Sequence, residues 1–131
     1  MKISSYSRNR ILSTFATWDV AKDFADPIYN YMVYGFSPGS CFTSVLANDF
    51  AGAIGSSHPA NTIEAFKALV GWMRDTMPRE AYGSYDAVDH WLRYTGPARR
   101  TVLERNGLIY TAKQETMLLI KGDPDKEPVL Y

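Results

Sequence analysis

The helical character of this chain is set by residues 26–55, DPIYNYMVYGFSPGSCFTSVLANDFAGAIG, and by residues 61–73, NTIEAFKALVGWM. Both segments combine helix-start signals with apolar residues at helical spacing. Asp26 is a favourable N-cap, and Pro27 suits the first helical position because its missing N–H would be unpaired there in any case. A first helix is therefore predicted to begin at Asp26 and to end at Gly35, which accepts the left-handed conformation.

Two further helices are predicted within the same segments. Ser40 is expected to cap the second helix, which ends at Gly55, and Asn61 with Glu64 forms a capping-box pattern at the start of the third. The expected inward residues of the second helix are Phe42, Val45, Leu46, Phe50, Ala53 and Ile54. Those of the third helix are Ile63, Phe66, Leu69, Val70 and Met73. The spacing in both cases places the apolar side chains on one helical face.

The remaining elements lie toward the C-terminus. Ser84 is expected to cap a fourth helix that carries Trp91 and ends at Gly96-Pro97. Asn106-Gly107, flanked by short apolar runs, is a strong hairpin signal, and it predicts a small β-hairpin within residues 100–121. The alternative is a helix over residues 97–105 that Asn106-Gly107 terminates.

The sequence predicts one domain, a mainly α protein built as a compact bundle of about four helices with a small C-terminal β-hairpin. A basic N-terminal arm (residues 1–22) precedes the helical core (26–95), and a tail (122–131) follows the hairpin. A length of 131 residues is sufficient to bury a core without metal or disulfide bonds. The single cysteine excludes an internal disulfide and favours a reducing, cytoplasmic environment.

Charge and hydropathy narrow the classes of partner. No apolar run has the roughly 20 residues that a membrane-spanning helix needs, so no membrane partner is expected. A net charge of zero argues against general nucleic-acid binding, which depends on many phosphate contacts. The charge is nevertheless uneven, because residues 23–66 contain four acidic and no basic residues. Residues 93–113 contain five basic residues and one acidic residue, an asymmetry that can orient a charged partner.

The sequence supplies no assembled catalytic or metal-binding set, and we expect neither an enzyme nor a cofactor. Two isolated histidines and one cysteine do not provide the three or four ligands of a metal site. His90 lies four residues after Asp86, which is typical of an exposed helical charge pair. His58 has no partner that the sequence fixes, so an enzyme that uses either histidine is a distant third hypothesis.

Asn48 and Asp49 lie in the middle of the predicted second helix, although both residue types are weak helix formers. Two interpretations of Asp49 remain open. In the first, which we favour, its carboxylate bonds to a neighbouring helix start such as the Asn61 or Ser84 turn and fixes the bundle. In the second, Asn48 and Asp49 contact a ligand or partner.

Aromatic residues are abundant, with nine Tyr, six Phe and three Trp. The tyrosines cannot all be interior, and an exposed aromatic patch would mark an interface. The tyrosines considered as binding candidates are Tyr29, Tyr34, Tyr82, Tyr85 and Tyr94. Arg99, Arg100 and Arg105 are further candidates, since guanidinium groups near tyrosine rings can bind phosphate or stack on a base.

Residues 26–92 resemble small uncharacterised accessory proteins of tailed bacteriophages and prophages. The residues that carry the resemblance are Tyr31, Gly35, Pro38-Gly39-Ser40, Phe42, Val45-Leu46, Asn48-Asp49, Ala53, Asn61, Trp72, Pro78, Gly83-Ser84 and Trp91-Leu92. The chain departs from that pattern at Tyr85, where the family often has proline. The resemblance implies a phage accessory gene that acts in the bacterial host cytoplasm, and it implies no catalytic residue.

The leading hypothesis is therefore a non-enzymatic phage accessory protein that binds and modulates or inhibits a host protein, in anti-defence or host takeover. The alternative is a protein that binds or sequesters a nucleotide through the arginines and tyrosines named above. A homo-oligomer is compatible with either hypothesis.

Overall fold

The computed structural model describes residues 1–122, and the secondary-structure elements among these residues are all helices. The helices are α1 (Ser5–Thr17), α2 (Lys22–Tyr34), α3 (Ser40–Leu46), α4 (Phe50–Ser56), α5 (Ile63–Thr76), α6 (Tyr85–Arg93), α7 (Gly96–Arg105) and α8 (Ala112–Gly122), with a 3₁₀ turn at Arg79–Ala81. The prediction of a mainly α protein is confirmed. Apart from Gly122, which ends α8, the predicted tail lies outside the described residues.

The predicted C-terminal β-hairpin is wrong, because residues 1–122 contain no β-strand and residues 100–121 belong largely to α7 and α8. Asn106-Gly107 terminates α7 instead of turning a hairpin, with Gly107 at φ +73°. The Leu108 amide donates to the Leu103 carbonyl at 3.0 Å, which is the long bond of a Schellman helix end. The helical alternative for residues 97–105 is the correct one.

The start of α8 has a local explanation in a reciprocal cap. The Thr111 amide donates to Gln114 Oε1 at 2.9 Å, and the Gln114 amide donates to Thr111 Oγ1 at 3.2 Å. Such a pair satisfies two amide groups at a helix start, where no intrahelical acceptor exists. The C-terminal part of the predicted hairpin region, from Ala112 onward, therefore lies inside a helix.

The predicted second helix is two helices, α3 and α4, separated at residues 47–49. Asn48 adopts a left-handed conformation with φ +63°, which an α-helix cannot accommodate but which asparagine tolerates. Asp49 then caps α4, because its Oδ1 accepts a bond from the Gly52 amide at 3.0 Å. Two weak helix formers in succession thus end one helix and begin the next.

Several predicted helix boundaries are also displaced. α2 begins at Lys22, so Pro27 lies inside the helix and Asp26 is not its cap. Gly39, one residue before Ser40, is the N-cap of α3. Ser84 caps α6 as predicted, since its hydroxyl accepts from the Ala87 amide at 3.1 Å.

The starts of α5 and α7 and the structure of the N-terminal arm also differ from the prediction. Thr62 caps α5 in place of Asn61, because its hydroxyl accepts from the Ala65 amide at 3.1 Å. Gly96-Pro97 opens α7, where a proline within the first helical turn displaces no hydrogen bond. The predicted N-terminal arm contains α1, whose Ile11 and Phe15 are buried in the core.

The centre of the core is built around Tyr31 of α2 and Trp91 of α6. The Trp91 indole N–H donates to the Tyr31 carbonyl at 3.0 Å, and the Tyr31 hydroxyl donates to the Ala81 carbonyl at 2.7 Å. Both side chains are fully buried, so these bonds satisfy polar groups that have no access to water. Trp72 of α5, also fully buried, stacks on Phe15 with ring centroids 4.4 Å apart.

Arg99 is a buried cation that holds the ends of two helices together. Its guanidinium donates to the carbonyls of Val33 and Tyr34 at the end of α2, at 3.4 and 3.2 Å, and to the Tyr94 carbonyl after α6. Helix C-termini carry partial negative charge, and this charge partly compensates the cation. Burial lowers the pKa of Arg99, as desolvation disfavours the charged form.

The Gly35 backbone makes room for that guanidinium. Gly35 has φ +68°, and a Cβ atom added there would lie 2.6 Å from Arg99 Nη1. Gly35→Ala is therefore expected to lower the free energy of unfolding by about 1–3 kcal/mol, through backbone strain and displacement of the arginine. Urea denaturation followed by circular dichroism measures the change.

Gly55→Ala is the control, because a Cβ atom at Gly55 would meet no atom within 4 Å apart from its chain neighbours and the backbone of its own helix. Since Gly55 lies within α4, alanine there should leave the stability unchanged or raise it by up to about 1 kcal/mol. Equal effects of the two substitutions would show that the Arg99–Gly35 contact does not constrain the fold.

Candidate functional site

An apolar groove of about 510 Å³ runs between α4 and α5, and we call it the α4–α5 groove. Its lining residues are Val45, Asn48, Asp49, Phe50, Ala53, Ile54, Ile63, Phe66, Lys67, Val70, Gly71 and Arg74. The volume lies within the range of ligand-binding clefts in proteins, roughly 300–1,000 Å³. Buried Val45, Ala53 and Phe66 belong to its lining and to the hydrophobic core.

The rim of the groove exposes large apolar side chains. Phe50 is 71% exposed and Ile63 is 50% exposed, while Val70 and Ile54 are 41% and 36% exposed. Single exposed apolar residues are common on protein surfaces, but a contiguous set that borders one groove is typical of a binding site. The exposure of this set contradicts the sequence-based expectation, which placed all four side chains in the core.

The exposure of Phe50 and Ile54 follows from the break between α3 and α4. An uninterrupted helix would have placed them on the same face as Val45 and Leu46, which are buried. Because Asn48 adopts the left-handed conformation, the helical face does not continue across the break. The apolar face of α4 consequently reaches the core through Ala53 and solvent through Phe50.

The opposite wall of the groove is formed by α5, which has apolar residues on two faces. Leu69, Trp72 and Met73 face the core, whereas Ile63 and Val70 face the groove. Phe66 lies between the two faces, and its ring is 5.2 Å from that of Phe24 in α2. A helix with a single buried face needs fewer apolar positions, so the surplus in α5 marks the second surface.

Charged residues occupy both walls. Lys67 and Arg74 line the α5 wall and are exposed. Neither side chain has an ion-pair partner among the described residues. Asp49 lies on the other wall, at the start of α4.

Asp49 is held by two donors. The Tyr85 hydroxyl donates to Asp49 Oδ2 at 2.5 Å, and the Gly52 amide donates to Oδ1 at 3.0 Å. The Tyr85 hydroxyl is also 3.3 Å from Ser44 Oγ in α3. Tyr85 is the first residue of α6, so the carboxylate links the start of α4 to a neighbouring helix start, as the first interpretation of Asp49 expected.

The structure separates the candidate tyrosines. Tyr85, which is 51% exposed, adjoins the groove through Asp49. Tyr29 is buried and its ring meets that of Tyr34 edge-on at 6.0 Å, while Tyr34 lies 5.5 Å from exposed Phe36. We call Tyr29, Tyr34 and Phe36 the aromatic cluster.

Tyr82 and Tyr94 are half-buried against the core. The Tyr94 ring packs on Trp91 at 5.5 Å. Neither tyrosine lines the α4–α5 groove, so of the candidate tyrosines only Tyr85 is connected to it.

The candidate arginines have intramolecular partners. Arg99 is buried and bonds to backbone carbonyls, as described above. Arg100 forms an ion pair with Glu104 at 2.8 Å and lies 3.6 Å from a carboxylate oxygen of Glu115. Arg105 pairs with Glu80 at 2.6 Å. The structure therefore does not bring these three guanidinium groups together with free hydrogen-bonding capacity.

Within residues 1–122 no group of three or more histidine, cysteine or acidic side chains could hold a metal ion. His58 is exposed, and its Nδ1 accepts a bond from the Ala60 amide at 3.0 Å. His90 is exposed on α6. No helix in the described part of the chain is both long enough and apolar enough to cross a membrane.

The chain matches no protein-family model, no curated protein and no solved structure.

The bonds to Asp49 predict a pH-dependent contribution to stability. The Tyr85 hydroxyl and then the Gly52 amide hold the pKa of Asp49 below its ordinary value of 3.8. A lowered pKa means that the folded state favours the carboxylate, so its contribution is present above that ordinary value and is lost as the pH falls through the lowered pKa. The difference in unfolding free energy between the wild type and Asp49→Asn should therefore be constant near pH 7 and shrink below about pH 4.

Urea denaturation of both proteins at a series of pH values measures this difference. Asparagine is also a good N-cap, so the substitution removes the titrating group and keeps the helix start. Tyr85→Phe, which removes one of the two donors, should give an intermediate pH dependence. A difference that does not vary between pH 7 and pH 3 would contradict the role assigned to the carboxylate.

Proposed function

We propose that this protein is a non-enzymatic phage accessory protein that binds a protein of the bacterial host, and that the α4–α5 groove is the binding surface. The observation that carries the proposal is the exposure of Phe50, Ile63 and Val70 around one groove of about 510 Å³. The class of partner comes from the resemblance of residues 26–92 to phage accessory proteins. Modulation or inhibition of the host protein would follow because this protein covers the surface of the host protein that it binds.

The energetic argument concerns apolar area. Hydrophobic burial contributes roughly 25 cal/mol per Å² of apolar surface removed from water. Phenylalanine, isoleucine and valine side chains at the rim offer that area on association, and the groove admits a convex partner between them. Phe50 is the largest and most exposed of these side chains, so it offers the most apolar area and is the expected principal contact.

The nucleotide alternative has less support. Arg99 is buried, and Arg100 and Arg105 form ion pairs with carboxylates. Phosphate binding would require these bonds to be replaced.

A matched pair of phenylalanine substitutions tests the proposal. Phe50 is 71% exposed at the groove and Phe36 is 60% exposed in the aromatic cluster. Tagged wild type, Phe50→Ser and Phe36→Ser are used to capture proteins from bacterial lysate, and the bound proteins are quantified by mass spectrometry. The expected result is a stoichiometric host protein that wild type and Phe36→Ser retain and that Phe50→Ser loses by at least about tenfold.

Thermal unfolding of the three proteins is the control for folding, since substitutions at exposed positions usually change stability by less than about 0.5 kcal/mol. The absence of any stoichiometric protein would contradict the proposal. Retention by Phe50→Ser with loss by Phe36→Ser would transfer the binding surface to the aromatic cluster and exclude the groove.

A further inference from the structure

We infer that the occupant of the α4–α5 groove is an amphipathic α-helix of the partner protein, with two acidic side chains seven residues apart along one flank. This inference rests on the proposed function, because it specifies the chemistry of the partner at that same surface. The length of the groove, its apolar lining and the positions of its two cations each contribute to it.

The length of the groove fits a short helical segment. Its contacts on α5 extend from Ile63 to Arg74, which corresponds to about 16 Å at 1.5 Å per residue. Three turns of a partner helix span the same distance. A helix that lies in an apolar groove is a common mode of peptide recognition, and it uses apolar anchors at i, i+3 or i+4, and i+7.

The apolar lining is arranged as a floor with two walls. Its buried residues, which include Val45 and Phe66, form the floor, while exposed Phe50 belongs to the α4 wall and exposed Val70 to the α5 wall. Apolar anchors of the partner would contact the floor while the flanks of the same helix pass between the walls. Because Phe50 and Ile54 on one wall and Ile63 and Val70 on the other are exposed, the groove is open to a segment of another chain.

The two cations specify the charge of the partner. Lys67 and Arg74 are separated by seven residues on α5, which is two turns or about 10.5 Å along the helix axis. Both are exposed and lack an ion-pair partner among residues 1–122. A partner helix that lies along α5 presents groups at the same interval when its acidic residues are also seven positions apart.

The opposite wall makes the charge pattern asymmetric. Asp49 faces the groove from the start of α4, and its carboxylate is already bonded to Tyr85 and Gly52. An acidic flank placed against α4 would be repelled, whereas the same flank placed against α5 would be attracted. Since reversing a helix in a groove exchanges its flanks, the asymmetry also selects one direction of the partner chain.

A small amphipathic acid, such as a fatty acid, would pair with only one of the two cations in the groove. Its single carboxylate could reach Lys67 or Arg74 but not both, because the two residues are two helical turns apart. The helix is therefore the occupant that the charges favour, and a fatty acid becomes a competing outcome of the test.

The test uses two end-capped helical peptides of about 14 residues and the full-length protein. Both peptides carry leucines at helical spacing on one face and differ only in two flank positions, seven residues apart, which are glutamate in one and glutamine in the other. Fluorescence anisotropy measures their dissociation constants. We expect the glutamate peptide to bind about five- to tenfold more tightly, and this preference to decrease at high salt.

The protein variants assign that preference to the two cations. The double variant Lys67→Gln/Arg74→Gln should bind both peptides equally. The control is Lys22→Gln/Arg79→Gln, which makes the same change of charge at two exposed positions outside the groove and should keep the preference. Phe50→Ser should weaken both peptides alike.

The inference is overturned if neither peptide binds, if wild type binds both equally, or if laurate binds the groove in their place. A dimer that forms with concentration and that Phe50→Ser abolishes would also overturn it, since a second copy would then be the occupant. These failures differ from failure of the proposed function. Loss of the captured host protein by Phe50→Ser without peptide preference refutes only the acidic helix, whereas retention of that protein by Phe50→Ser refutes the proposed function.

Discussion

The buried guanidinium of Arg99 is the constraint to which much of the helical arrangement conforms. A cation with 6% of its surface exposed must find acceptors inside the protein, and in the described residues those acceptors are backbone carbonyls, not a carboxylate. The carbonyls belong to the ends of α2 and α6, so both helices must terminate at the same place, next to α7. Gly35 and the interior bonds of Trp91 and Tyr31 are arranged around that meeting point.

The α4–α5 groove is lined by none of the residues that surround the Arg99 guanidinium. Two local properties produce it: the left-handed Asn48, which redirects α4, and the second apolar face of α5. Asp49 lines the groove and also connects α4 to α6, because its carboxylate accepts a hydrogen bond from the Tyr85 hydroxyl. The hydrogen bond that attaches the groove wall to α6 and the apolar character of the rim therefore have separate origins in the sequence.

The helical class and the start of α6 at Ser84 could be predicted because caps and apolar spacing are local properties of the sequence. The end of α7 could not be decided in the same way, since Asn106-Gly107 serves a hairpin and a Schellman helix end equally well. The groove could not be predicted, because periodicity identifies an apolar face but not what covers it. The Thr111–Gln114 cap has the Thr-x-x-Gln pattern of a capping box, and this local pattern favours a helix over a strand for the residues that follow.

The contact between α1 and α8 has a consequence for synthesis of the chain. Buried Ser7 donates to the carboxylate of Glu115 and accepts from the Tyr110 amide at 3.1 Å, so α1 completes its polar contacts with residues translated about a hundred positions later. At roughly 5–20 residues per second, α1 waits about 5–20 s on the ribosome before those partners exist. During that interval the central helices can fold among themselves while Ser7 remains without its later partners. Closure of α1 against α8 is then expected to be a late step in folding, because it needs contacts between distant parts of the chain.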